Sequence, residues 1–184
     1  MHMKKIIVLS LCLLGLAFQS EAQKYMTRTG KITFFSSTPV ENIEAFNNDV
    51  SSVMDAQTGE LIFIVPIKSF KFEKALMQEH FNENYMESDQ FPKAEFKGKI
   101  TDLSGVDFKK DGTYKVQTSG KLTIHGVTKV VTVPGTITIK GRQVTTTAKF
   151  DVRPADYGIK IPSMVASKIA DKIEVTVNSQ LMAR

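Results

Sequence analysis

Strict alternation of apolar and polar residues, repeated in segment after segment, constrains this chain more than any other feature. From Phe91 to Ile100 the series Ala94, Phe96, Gly98, Ile100 interleaves with Lys93, Glu95, Lys97 and Lys99. Val144, Thr146, Ala148, Phe150 and Val152 alternate with Thr145, Thr147, Lys149 and Asp151, and Ile173, Val175 and Val177 alternate with Lys172, Glu174, Thr176 and Asn178. A fourth series runs from Tyr114, Val116 and Thr118 through Gly120 to Leu122 and Ile124. A period of two sends successive side chains to opposite faces, so each segment is a strand with one apolar face and one solvated face.

Turn residues fall between these segments. Lys110-Asp111-Gly112 lies between Ile100 and Tyr114, Lys140-Gly141 between Ile139 and Val144, and Asp55 to Glu60 between Val50–Met54 and Leu61–Ile67. Glycine supplies the positive φ that tight hairpins need. Short antiparallel strands at near-regular spacing give a β-sandwich or an up-and-down barrel. With 184 residues, no linker-like stretch and no internal repeat, the chain reads as one domain behind a short appendage.

That appendage is residues 1–22. Lys4 and Lys5 precede an apolar run from Ile6 to Phe18, too short to span a bilayer, and Ser20-Glu21-Ala22 has the small residues of a cleavage site. We expect a signal peptide cut after Ala22, which places residues 23–184 in the periplasm or outside the cell. The lone Cys12 would leave with the leader, so the mature chain carries neither disulfide nor thiol chemistry. A hydrophobic content of 42% and a charged content of 23% belong to a globular protein. The net charge of +5 comes from lysines scattered along strands rather than clustered with aromatics, a pattern that gives nucleic acid no footprint.

Two segments break the alternation. Residues 73–86 lack β-branched side chains, and Met77, Phe81 and Tyr85 repeat at helical spacing, so a short helix with one apolar, aromatic face is expected before Pro92 restarts extended chain. Residues 159–168, from Ile159 to Lys168, are unusually apolar for a connection and read as a lid. A third oddity is the run from Leu61 to Phe72, apolar on both faces. One face belongs to the interior. Over the other we expect the 73–86 helix, with a dimer partner or a membrane as the alternative covers.

Residues suited to chemistry are sparse. His80 and His125 have no second histidine at ligand spacing, and Glu79, His80 and Glu83 make only a weak helical metal patch. Phosphate-binding glycine loops and Gly-x-Ser-x-Gly are absent, so no metal, cofactor or enzymatic activity is expected. Aromatic content says more. Of 12 Phe, many fall between Phe63 and Phe96, and together with the methionines they suggest an adaptable apolar cavity. Its expected lining is Phe63, Phe70 and Phe72 from the doubly apolar run, and Leu76, Met77 and Phe81 from the helix. Phe96 and Phe150 join from two alternating strands, and Met164 from the lid.

Several stretches, in order, resemble the YceI-like family of secreted, lipocalin-like polyisoprenoid-binding proteins. Gly120-Lys121-Leu122-Thr123-Ile124-His125-Gly126-Val127-Thr128-Lys129 is the most specific match, to that family's G-x-L-T-[LI]-x-G-V-T-K hairpin. Met77–Met86 followed by Phe91-Pro92 resembles its helix and "phenylalanine-proline" step, and Phe150-Asp151-Val152-Arg153-Pro154-Ala155-Asp156-Tyr157-Gly158-Ile159 its F-x-[IV]-R-x-x-[DE]-[FY]-G-I segment. The chain departs where the family often carries His-Ser, here Arg28-Thr29-Gly30-Lys31, and where it carries Arg-Asp, here Phe72-Glu73-Lys74.

The resemblance implies an all-β fold, an extended eight-stranded antiparallel lipocalin-like barrel, with a polyisoprenoid or similar long-chain lipid as partner. Arg153 is a candidate headgroup contact; local pairing with Asp156 is its other reading. Exchange of the lipid would be the protein's only dealing with a membrane, and a homodimer is compatible with the sequence. Against the lipid carrier stands a structural or interaction barrel that docks a partner on strand 61–72.

Overall fold

The computed structural model describes residues 23–184; the expected signal peptide lies outside the described residues. The chain forms β1 (Lys24–Ser37), β2 (Asn42–Asp55), β3 (Glu60–Pro66), β4 (Lys71–Phe72), α1 (Ala75–His80, continued by a π-type turn over Phe81–Tyr85), β5 (Lys93–Ile100), β6 (Gly112–Ile124), β7 (Val127–Lys140), β8 (Gln143–Val152) and β9 (Ile173–Ala183). All pairings are antiparallel, in the order β1-β9-β8-β7-β6-β5-β3-β2, and β2 pairs back onto β1. That last pairing joins the two ends of the strand order and closes the sheet. Alternation alone allowed a sandwich or a barrel; the molecule is a closed barrel of eight antiparallel strands, with β4 a two-residue bridge onto β2.

Closure needs curvature, and paired glycines supply some of it. Gly98 on β5 faces Gly120 on β6 in register. A Cβ at Gly120 would overlap the backbone of Gly98, and a Cβ at Gly98 would meet the Phe96 ring and the Ser119 carbonyl. Two strands therefore approach closely there, and the Phe96 ring fills the space that the missing side chain leaves.

One end of the barrel is solid. Tyr25, Met54, Leu61, Ile100, Ile137, Ile139, Val144 and Leu181, each within a few residues of a strand terminus, bury one another there. The β2–β3, β5–β6 and β7–β8 turns cap this end. At the opposite end lie the β1–β2 turn, the helix, the β6–β7 turn and the long β8–β9 connection over residues 153–172.

The doubly apolar run folds differently from expectation. Leu61, Phe63 and Val65 of β3 point inward, but the helix does not cover the outer face. Outward are Ile62 and Ile64, flanked on β5 by their register partners Lys97 and Glu95. Glu95 itself holds Lys93 and Lys97, so aliphatic stems of an ion-paired trio shelter the two isoleucines and leave Ile62 38% exposed. The helix instead packs across the open end, where Phe81 joins two apolar clusters.

Candidate functional site

Between the solid end and the helix the barrel encloses a cavity of about 570 Å³. Every long strand except β2 sends inward residues from its middle or open-end half to the wall: Phe34 from β1, Phe63 and Val65 from β3, Phe96 from β5, Leu122 from β6, Val133 from β7, Phe150 from β8 and Val175 from β9. β2 contributes only Ile43, at its first turn of chain.

Helix α1 forms the ceiling. Met77 and Phe81, four residues apart on one helix face, line the cavity from it, and the largely exposed Leu76 reaches it from the edge of that face. The π-type turn carries that face on to Tyr85, with the Met86 amide donating to the Phe81 carbonyl at 2.8 Å. Phe34, Phe70, Phe72 and Phe81 pack as an aromatic cluster, with centroids 5.0–5.6 Å apart for the packed pairs. Edge and tilted contacts of this kind hold the helix onto the wall beyond simple burial.

Polar atoms are few. Thr118 donates to the Val133 carbonyl at 3.1 Å, and the Thr146 hydroxyl is buried among the described residues without a partner. Ser36 accepts from the Ala170 amide at 2.9 Å, tying the β8–β9 connection to β1. At the mouth Lys74 pairs with Glu41 at 3.1 Å, bridging the helix start to the β1–β2 turn.

A second tie holds the far side of the open end. His125 Nε2 lies 2.7 Å from the Glu87 carboxylate, and Nδ1 lies 3.3 Å from the Tyr157 carbonyl, so one imidazole joins the helix exit, the β6–β7 turn and the start of the β8–β9 connection. Both Glu87 (φ 44°) and His125 (φ 49°) adopt the left-handed conformation that side chains other than glycine disfavour. The interaction between them, and the Phe91 ring packed on His125 at 4.5 Å, hold that local strain in place.

All but one of the expected lining residues reach this wall: Phe63, Phe70, Phe72, Leu76, Met77, Phe81, Phe96 and Phe150. Met164 does not. It stands at the tip of a turn in which the Val165 amide donates to the Pro162 carbonyl, and it is 89% exposed; the lid contributes Ile161 and Val165 instead, with Ile169 just beyond it. Arg153 lies outside the cavity, at its outer flank, and makes no ion pair with Asp156 among the described residues. Ile32, Phe34 and Ser36 of β1 also line the wall, and their alternation is the sequence signal that marks them. No group of three potential metal-ligating side chains gathers among the described residues, and Glu79, His80 and Glu83 do not form one.

Comparison with known proteins places the chain. A family model described as the YceI-like domain matches residues 18–181. The chain belongs to the YceI-like family.

No curated protein matches it. Among solved structures, the YceI-like barrel resembles a polyisoprenoid binding domain from Saccharophagus degradans implicated in plant cell wall breakdown, with TM-score 0.75, 15% identity, and coverage of 88% of this chain and 98% of that one. It also resembles BcnA of Burkholderia cenocepacia, with TM-score 0.69, 19% identity, and coverage of 83% and 95%. A third is the YCEI protein of Campylobacter jejuni, with TM-score 0.58, 16% identity, and coverage of 76% and 84%. At these identities the likeness is one of fold.

Proposed function

We propose that this protein is an exported carrier or store that holds a polyisoprenoid or similar long apolar lipid inside the barrel, and that it is not an enzyme. The observation that supports this most is the 570 Å³ cavity walled by phenylalanine and aliphatic side chains from nearly every strand and roofed by an amphipathic helix. Its volume falls in the range of small-molecule sites, and its few polar groups suit a ligand recognised by shape and burial. The polyisoprenoid-binding domain from Saccharophagus degradans shares the fold and lends weight to a prenyl chain as the ligand class.

Energetics fit a carrier. Burying a methylene is worth about 0.8 kcal/mol against water. A bilayer offers nearly the same gain, so transfer between membrane and barrel is close to neutral while escape to water is not. The leader-like residues 1–22 support action in the periplasm or beyond it. An interaction barrel finds less support, because the outer face of β3 offers only Ile62 and Ile64 between Lys97 and Glu95.

Native mass spectrometry of protein purified from the envelope of its own host tests the reading. A bound prenyl-chain adduct, on a chain beginning at or near Gln23, is the expected result. An empty barrel that also takes up no added prenol would contradict it.

A further inference from the structure

Beside the open end the barrel wall has a gap in its hydrogen bonding. β7 and β8 pair from Gly135↔Ala148 to Lys140↔Gln143 and then part. Beyond that fork β7 stays paired to β6 as far as Val127, and β8 stays paired to β9 as far as Val152. The facing edges of 127–134 and 149–152 have no strand partner, and Pro134 at the fork has no amide hydrogen to give.

The parted strands frame a window of about 460 Å³, bounded by Lys129–Val133, Phe150–Val152, the turn from Arg153 to Tyr157, and Lys172. Leu122, Val131, Val133, Phe150 and Val152 border both this window and the main cavity. Side chains alone separate the two spaces there, with no ladder between them. Lys129, Arg153 and Lys172 stand around the outer opening and form no ion pair among the described residues, whereas neighbouring Lys149 pairs with Glu174 at 2.9 Å. Asp151 and Asp156 border the same opening, so one positive charge is in surplus. Arg28, Arg142 and Arg184 lie toward the solid end, leaving Arg153 as the arginine beside the cavity.

We propose that this window seats the phosphate headgroup of a lipid whose chain occupies the main cavity, with Arg153 as the principal contact. The proposal rests on the lipid-binding reading and narrows its ligand to prenyl phosphates and chemically similar anionic lipids. A guanidinium presents a planar fork of donors that matches two phosphate oxygens. Lys129 adds charge from β7, and Lys172 from the far end of the connection that Arg153 begins. The headgroup remains hydrated at the wall, and the chain crosses where no backbone hydrogen bonds need to break.

Isothermal titration of wild type and Arg153→Gln with farnesyl phosphate, farnesol and inorganic phosphate tests this. Arg153 is exposed, so the variant keeps the fold. Wild type should bind farnesyl phosphate more tightly than farnesol and inorganic phosphate hardly at all. Arg153→Gln should weaken farnesyl phosphate by about tenfold, as loss of a charge-assisted contact implies, and leave farnesol unchanged. Equal losses for both prenyl ligands, or no loss for either, would overturn the headgroup seat while leaving the lipid cavity standing. Inorganic phosphate binding as tightly as farnesyl phosphate would overturn it too, in favour of a free-anion site. Failure of wild type to bind either prenyl ligand would instead remove the lipid reading and this proposal with it.

Discussion

Val144 and Ala148 stand four residues apart on the inward face of β8, yet their surroundings differ entirely. Val144 is fully buried among Ile137, Ile139, Leu181 and their neighbours, where side chains from opposing strands meet and fill the barrel. Ala148 faces open volume, across from walls formed by Phe and Val. The same pattern of in and out residues builds both regions. What separates them is how the inward positions are spent. At the solid end, aliphatic chains from all sides interdigitate across the axis. At the open end the large rings Phe34, Phe70, Phe72 and Phe81 pack against one another beneath the helix, along one side, and leave the axis empty.

Stability should therefore reside at the solid end and binding at the open one. Leu181→Ala is expected to have the largest effect, a loss of about 2–5 kcal/mol in denaturant unfolding, since the deletion leaves a void in a filled region. An effect below that of an exposed substitution would mean the solid end is looser than described. Val144→Phe should be next, costing about 1–3 kcal/mol because the added ring has nowhere to go. A variant as stable as wild type would break the comparison at its root.

The alternation made β5, β6, β8 and β9 legible, because each is wet on one face and apolar on the other. β1 and β7 were not. In β1 the register slips around Gly30, so apolar residues before and after it fall out of phase. In β7 the pair Pro134-Gly135 mimics a turn, and the strand tolerates proline because β8 has already departed. Phenylalanine enrichment located the cavity wall, since rings on inward positions near a helix have few other uses. For the helix, periodicity says which face is apolar but not which surface receives it. Residue type points to Met164, but Val165 one residue later makes the contact, since one step around a turn reverses direction. Glu87 and His125 carry no local signal for their partnership, which joins segments far apart in sequence.

Smaller effects sharpen the contrast. Asp55 caps the β2–β3 turn at the solid end, accepting from the Gln57 and Thr58 amides at 2.8 and 3.0 Å. The Thr58 amide above all, with Gln57 and Lys24, holds its carboxyl below the ordinary value of 3.8. A lowered folded-state value stabilises the protein above that ordinary range, and the contribution fades as pH falls through the folded value. Asp55→Asn should thus melt slightly below wild type near neutrality, with the difference vanishing in acid. A difference that grows in acid would refute this. Met164→Lys should be the mildest change, within about 0.5 kcal/mol in stability and silent in prenyl binding, because the side chain stands in water. Weakened binding of a prenyl probe in that variant would return Met164 to the cavity.

If the open end is space kept for an apolar chain rather than imperfectly packed core, Ala148→Phe shows it directly. The added ring would enter the cavity from a wall position whose neighbours, Gly135 and Val177, leave it room. Melting temperature and displacement of a fluorescent prenyl probe are read on the same sample. The prediction is a melting temperature equal to or above that of wild type, together with loss of probe binding. A destabilised variant, or one that folds normally and binds the probe as wild type does, would contradict it.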